Sequence, residues 1–259
     1  MNNSVFGDVD LINSSIDFKG NDNVFICKGK LKLKNCKIRF TGNNSLVFID
    51  ENLYPMSLNI RIGNDSVIYI GKDCYVNKTT NLYATERKNI IIGNQIMISF
   101  NTYFRTADPH LIYDANTKKR INFSKSILIG DRVWIGQEAL ILKGCVIGSG
   151  SIIGGRSVLA NKFLKSNTLY AGNPARKIRD GVFFGEFRAT HDYDLEEELK
   201  SGTFTLEDEN QFIYEEDENT LSFKAIDMDL MNINNVNEKI KYIEENISKN
   251  NNKNRFYNN

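Results

Sequence analysis

Only two histidines occur in the 259 residues, His110 and His191. That count excludes any site that needs three histidines from one chain, and no metal is expected. It leaves open proton transfer by a single imidazole. His110 stands in Thr106-Ala-Asp-Pro-His-Leu-Ile-Tyr-Asp114, beside Asp108 and Pro109. A loop imidazole with a carboxylate at hand is the arrangement of a general base whose tautomer is fixed by a third group. The same spacing also suits a solvated surface histidine, and Asp108 and Asp114 are equal candidates for the carboxylate. His191, in Thr-His-Asp-Tyr-Asp, falls in an acidic stretch and reads as structural. Cys27, Cys36, Cys74 and Cys145 form no Cys-x-x-Cys pair and read as small buried residues of a reducing compartment.

What must hold these groups is set by a repeat. From Ile129 the sequence divides into sixes. Ile129, Ile135, Ile141, Ile147 and Ile153 take the first position, and Val133, Ala139, Cys145, Ser151 and Ser157 the fifth. Neither the helical period of about 3.6 nor the strand period of about 2 produces that pattern. It predicts a parallel β-solenoid. Each six is a short strand and a turn, the aliphatic residue points to the axis, and the small residue fits the corner. Weaker copies of the phase start at Ile70, Val76, Ile92 and Ile98, and residues 5–60 read as irregular early coils with Asn at the turns.

Residues 104–126 cannot be cut into sixes. An insertion of this kind leaves the column as a loop on one side, often the binding side. The repeats stop near Lys162, and Leu169–Arg179 reads as an exit strand and turn. Beyond it, Leu195–Leu199 suggests a short acidic helix and 203–224 short β-like runs around Phe204, Leu206, Phe212–Tyr214, Leu221 and Phe223. Val236, Ile240, Ile243 and Ile247 share one helical face, and the tail from Ser248 is polar and expected to fray. The expected organisation is a solenoid over 1–180 and an acidic, mixed α/β extension over 181–259.

The charge follows the same division. The whole chain carries a formal +1, too little for a strongly basic nucleic-acid binder. Residues 1–185 carry 25 basic and 14 acidic side chains, 186–218 carry 2 and 13, and the rest 6 and 5. A basic solenoid is thus followed by an acidic segment, expected to pack against basic solenoid surface. No run of 18 apolar residues and no basic-then-apolar leader is seen, so no membrane span is expected and the cytoplasm is the expected location.

The hexads, with Ile129-Gly-Asp-Arg-Val-Trp-Ile-Gly-Gln137 and Ala171-Gly-Asn-Pro-Ala-Arg-Lys-Ile-Arg179, resemble the hexapeptide-repeat acyltransferases. The Asp-Pro-His loop, followed by Ile-Tyr-Asp and Arg-Ile-Asn, resembles the capsular and polysaccharide O-acetyltransferase branch. The resemblance implies a left-handed parallel β-helix, a hand that the usual right-handed crossover rule does not give. It also implies a homotrimer with sites between neighbouring columns and acetyl-CoA as donor. It casts His110 as general base and the backbone N–H of Gln137 as oxyanion donor. Trp134 would line the acetyl or sugar pocket, although packing on the outer wall is nearly as good a reading. Asp108 is the candidate carboxylate behind His110. Gly155, Arg156, Lys162, Arg176, Lys177 and Arg179 match the positions that hold the coenzyme.

The expected function is O-acetyl transfer to a saccharide hydroxyl, on a capsular or cell-surface polysaccharide, with sialic-acid polymers as one acceptor class. The alternatives are N-acetylation of an amino-sugar nucleotide and a structural solenoid without catalysis. The first usually carries an N-terminal nucleotide-binding domain, and no glycine-rich strand–turn–helix opens this chain. The second has no need of the Pro109-His110 excursion. Serine acetyltransferase is disfavoured because no helical domain precedes the coils.

Overall fold

The computed structural model of the chain describes residues 2–185, 194–196, 202–204 and 211–259. The hexads fold as their period demands. Ile129 lies beside Ile147, Ile135 beside Ile153 and Ile141 beside Leu159, in parallel register. One coil in this region is therefore 18 residues, as the Asp131–Ser149 contact across it also shows. Each aliphatic first position is fully or almost fully buried on the axis, and Val133, Ala139, Cys145, Ser151 and Ser157 are buried at the corners. The earlier coils are longer, 22 residues from Lys72 to Asn94, and the coil that holds the insertion takes 37 from Asn94 to Asp131.

The coils stack into a triangular prism with three parallel sheets. The first face holds eight strands: Ser4–Ile12, Val24–Lys34, Leu46–Ile49, Val67–Ile70, Ile90–Ile92, Ile127–Ile129, Val146–Ile147 and Phe163–Leu164. The second face runs through Tyr75–Val76, Met97–Ile98, Trp134–Ile135, Ile152–Ile153 and Thr168–Gly172. It closes with the antiparallel strand Ala175–Asp180. The third face holds Ser15–Phe18, Lys37–Phe40, Leu58–Ile62, Thr80–Ala84, Tyr103–Arg105, Leu140–Leu142 and Val158–Leu159.

Two chemistries turn the corners. Non-glycine residues at positive φ, such as Asn44, Asp65, Gln95, Glu138 and Arg156, supply a left-handed residue per turn. Side-chain oxygens from one coil then accept the otherwise unpaired backbone N–H of the coil before it. Asn43 serves Asn21, Asn64 serves Asn43, Asn94 serves Lys72 and Asp131 serves Asn94. This is why the early coils are rich in asparagine.

The first face is apolar on both sides. Val24, Leu46, Phe48, Val67, Tyr69, Ile91 and Leu128 point outward from it and are buried all the same. The C-terminal extension covers them. Helix α1 (Phe223–Asn232) and helix α2 (Val236–Ile243) lay Phe223, Ile226, Leu230, Val236 and Ile243 on this surface, and a π-helical turn (Glu244–Ser248) adds Ile247. Asn235 caps α2, and the expected helical face of Val236, Ile240, Ile243 and Ile247 is the face that packs. Burying each such side chain contributes about 1.5–3 kcal/mol.

Two expectations for the extension are corrected. No strand forms in the described part of 203–224. Phe212 and Tyr214 are instead single buried plugs, held where Asn167 donates to the Phe212 carbonyl and accepts from the Tyr214 N–H, and Phe223 opens α1. Nor does the tail fray. Arg255 and Phe256 are buried, and the Arg255 guanidinium reaches both oxygens of Asp131 at 2.8 Å. The polar residues around them concealed an anchor of one charge and one ring. Leu206, residues 197–199 of the expected acidic helix and His191 lie outside the described residues, as does most of 186–218. The four cysteines are free and buried, and burial pushes the Cys74 thiol up to about 12. Among the described residues no helix is long and apolar enough to cross a membrane.

Candidate active site

The period-breaking loop leaves the prism where the third face turns into the first, between Tyr103–Arg105 and Ile127–Ile129. It does not drift away from the coils. Arg120 pairs with Glu86 of the preceding coil at 2.9 Å, and Ser124 donates to the same carboxylate. Lys143 of the following coil pairs with Asp108. The bonds from Arg120 and Ser124 hold the Glu86 carboxyl below its ordinary range, and Lys143 does the same for Asp108.

His110 sits exposed in the outgoing arm of this loop, before the hairpin that Tyr113 and Arg120 close around the 114–119 turn. Its geometry is set by the asparagine of the Arg-Ile-Asn run, a residue without an expected role. Asn122 is buried, and its amide nitrogen donates to Asp108 Oδ2 at 2.9 Å and to the His110 carbonyl at 2.8 Å. Its amide oxygen accepts from the Ile112 N–H at 2.9 Å. One side chain thus ties the residues on both sides of His110 to its own backbone. Asp108 binds Asn122 and Lys143 through one oxygen, Oδ2, and so braces the loop, while no bond between the carboxylate and the imidazole is present among the described residues. Asp114 accepts from the Asn116 and Thr117 N–H groups and caps its own turn. Asn122→Ala is expected to lower kcat by about 10²-fold while changing the donor KM little, because a displacement of about 1 Å is enough for such a loss. Steady-state kinetics with the donor varied separates the two parameters.

A second set of groups gathers on another edge, where the second face turns into the third. Trp134 lies on the outer surface of the second face, 40 % exposed, its ring 6.2 Å from that of Phe184. Gln137 follows at the corner. Among the described residues its N–H makes no hydrogen bond, while its carbonyl accepts from the Arg156 N–H at 2.8 Å. Gly136 is required there, because a Cβ on it would stand 2.5 Å from the Gly155 nitrogen. Gly155 is under no such constraint. A Cβ on it would touch nothing nearer than Gln137 at 3.4 Å, so the bare backbone leaves an open lane past the Gln137 N–H. Arg156 pairs with Glu138 at 2.6 Å and Lys177 with Asp180 at 2.7 Å. Such exposed pairs are worth about 0–1 kcal/mol and exchange easily for a phosphate. Arg176, Lys177 and Arg179 lie on the strand that edges the second face.

The structure therefore brings Trp134, Gln137, Gly155 and Arg156 together, with the Arg176–Arg179 strand at the end of the same second face. It sets His110 and Asp108 on a different edge of the prism. Lys162 stands on the His110 edge too, in the turn before Phe163–Leu164, apart from the other cations proposed to share its task. Arg120 and Asn122 stood in the Arg-Ile-Asn run that carried the resemblance but drew no role from it, and Glu86 and Lys143, in the neighbouring coils, had no signal in the sequence.

Residues 126–161 match the family described as bacterial transferase hexapeptide (six repeats). A polysialic acid O-acetyltransferase of Escherichia coli O1:K1 / APEC is 33% identical over 135 residues, 44% of this chain and 44% of that protein. One from Neisseria meningitidis is 31% identical over 116 residues, 43% of this chain and 52% of that protein. The chain thus spans about half the length of the curated relatives it matches. The crystal structure of the polysialic-acid-specific acetyltransferase NeuO superposes with a TM-score of 0.63 and 30% identity, over 76% of this chain and 89% of that one. The polysialic acid O-acetyltransferase OatWY follows at 0.55 and 26%, over 76% and 97%. The prism matches the left-handed β-helix of these acetyltransferases.

Proposed function

The chain belongs to the hexapeptide-repeat acyltransferases, in their capsular and polysaccharide O-acetyltransferase branch, and from that premise we propose that it moves an acetyl group from acetyl-CoA to a hydroxyl of an anionic cell-surface polysaccharide in the cytoplasm. Four free buried thiols suit a reducing compartment.

The observation that carries this reading is the division of the site. His110 on one edge and the Gln137 N–H on another cannot meet in one prism, and a neighbouring prism is what could bring them together. We infer a homotrimer in which the loop of one protomer closes over the second-to-third corner of its neighbour. Leu111, Ile112, Ile121 and Phe123 on the loop are all at least half exposed in the single chain and would be covered by that contact.

In the assembled site His110 takes the proton from the acceptor hydroxyl as the oxygen attacks the thioester carbon. The Gln137 N–H receives the developing oxyanion, a contribution of about 2.7–4 kcal/mol from one such donor. Collapse breaks the carbon–sulfur bond, and His110 returns the proton to the leaving thiolate. Gly155 leaves room for the donor along the corner, and Arg156, Arg176, Lys177 and Arg179 suit its phosphates. Trp134 forms the wall of the pocket.

CoA release measured against polysialic acid, neutral oligosaccharides, amino-sugar nucleotides and serine tests the reading, and no turnover with any polysaccharide overturns it. The shared site has its own test. Mixed trimers of His110→Ala and Gly136→Asp are expected to recover activity that neither variant has alone, because one interface then keeps both intact halves. Failure of well-mixed trimers to recover any activity refutes the shared site.

A further inference from the structure

The outer surface of the third face is unlike the other two. Its outward positions form a column in register, in which Asp17, Arg39, Arg61, Tyr83 and Arg105 stand on successive strands. Arg39 and Arg61 are directly opposite each other on adjacent strands, about 5 Å apart. Like charges in that position are destabilising unless an anion joins them. None arrives from the described residues. No described carboxylate forms an ion pair with Arg39, Arg61 or Arg105, and Asp17, at the outer end of the column, accepts from Ser15 instead. Among the described residues the Arg61 side chain makes no hydrogen bond, Arg39 donates from Nη2 only to the Asn59 amide oxygen at 3.3 Å, and the Nε atoms of Arg39 and Arg105 are buried without a partner. The spaces between the cations are filled by flat, polar groups. Arg105 lies over the Tyr83 ring at 5.4 Å, and the Tyr83 hydroxyl and the Asn81 amide are linked through Asn59.

The column also has a direction. Its last cation, Arg105, is the residue from which the His110 loop departs, close enough to Asp108 to help hold that carboxyl ionised. Farther along the same face the outward residues become Leu140, Leu142 and Val158, which suit a neighbouring protomer and leave the basic rungs free. The described aromatic residues beside and within the acidic stretch, Phe183, Phe204 and Phe212, form a ring cluster, with Phe212 against Arg132 on the first-to-second edge, across the prism from the third face.

We propose that the Arg39–Arg61–Arg105 column is an extended binding track for a polysaccharide that carries carboxylates, and that it feeds the chain toward His110. Guanidinium forks hold the carboxylates, and Tyr83 and the amides face the sugar rings. This rests on the acceptor reading above.

The test pairs wild type with Arg39→Gln/Arg61→Gln, using long polysialic acid and a sialic acid trimer as acceptors. The track predicts that kcat/KM on the long polymer falls about tenfold or more, through KM, with the trimer unaffected. It also predicts that His110→Ala protein binds the polymer and loses that binding when the two arginines are replaced. Equal loss on both acceptors, or no loss on the polymer, overturns the track while leaving the acceptor reading intact. A polymer that binds through the arginines but is never acetylated leaves the track standing and overturns the acceptor reading. A changed sedimentation coefficient or melting point in the double variant, with polymer binding unchanged, means that protein occupies the face, and the track is refuted.

Discussion

Replacing His110 with alanine is expected to cut acetyl transfer by about 10²–10⁴-fold, the usual contribution of a positioned general base. The substitution is clean. The imidazole is exposed, and the bonds that shape the loop run through the His110 carbonyl and through Asn122, Asp108 and Lys143, which the variant keeps. Sedimentation, melting temperature and binding of CoA should therefore stay as in the wild type while CoA release in the presence of acceptor collapses. His191→Ala is the control and is expected to retain most of the activity. Equal losses in the two variants would remove His110 from the role of base. Asp108→Asn should be milder than His110→Ala, because Asp108 braces the loop in company with Asn122. A loss as deep as that of His110→Ala would mean that the carboxylate acts on the imidazole after all.

The second large effect concerns stability. Arg255 is 1 % exposed and Asp131 12 % at their side chains. Burial works against the charge on Arg255, and Asp131 outweighs it, holding the guanidinium above its ordinary value. Asp131 also accepts the Asn94 N–H that ties two coils together. Arg255→Ala would leave this carboxylate buried without its counter-charge, which costs about 3–5 kcal/mol. The guanidinium also reaches the Ile247 and Asn250 carbonyls, so the end of the strap should detach as well. Chemical denaturation should show the loss, and Asp131→Asn/Arg255→Met should recover part of it, since a pair of neutral groups has no stranded charge. A change within about 0.5 kcal/mol for Arg255→Ala, the range of ordinary surface substitutions, would show that the tail does not anchor the extension.

The C-terminal coils were legible residue by residue, because a period of six admits one register and Ile129, Ile147 and their companions obey it without a gap. The early coils were harder to read. At 22 residues they keep their corners with asparagine ladders rather than with small fifth positions, so the signal is spread over polar residues that look like any loop. The extension was misread for a different reason. Phe212–Tyr214 has strand-like composition but no partner strand, and Arg255-Phe256 is hidden in a run of asparagines. A clue lay in plain view in Leu46–Ile49, Val67–Ile70 and Ile90–Ile92. These runs are apolar without alternation, the mark of a sheet buried on both sides, and they announce that something must cover the first face. Of the candidate site, His110, Trp134 and the Gly155 corner followed from motif and phase. Asn122 did not, because its worth depends on a loop closure that brings Asp108, His110 and Ile112 back to it. That His110 and Gln137 stand on separate edges follows only once the corners are counted around the prism.

Solenoids ordinarily lengthen or shorten by duplicating or losing a repeat, since each coil needs only its neighbours. The strap forbids that here. Lys239 on α2 reaches the Asn44 and Asp65 carbonyls at one end, and Arg255 reaches Asp131 at the other. An added or deleted coil between those points would move one anchor by a whole step and leave a buried cation with nothing to meet. The extension is in effect a ruler laid along the column. A lineage that keeps it is held to one coil number, and variation is pushed to the corners, where loops such as 106–126 can grow without disturbing the count.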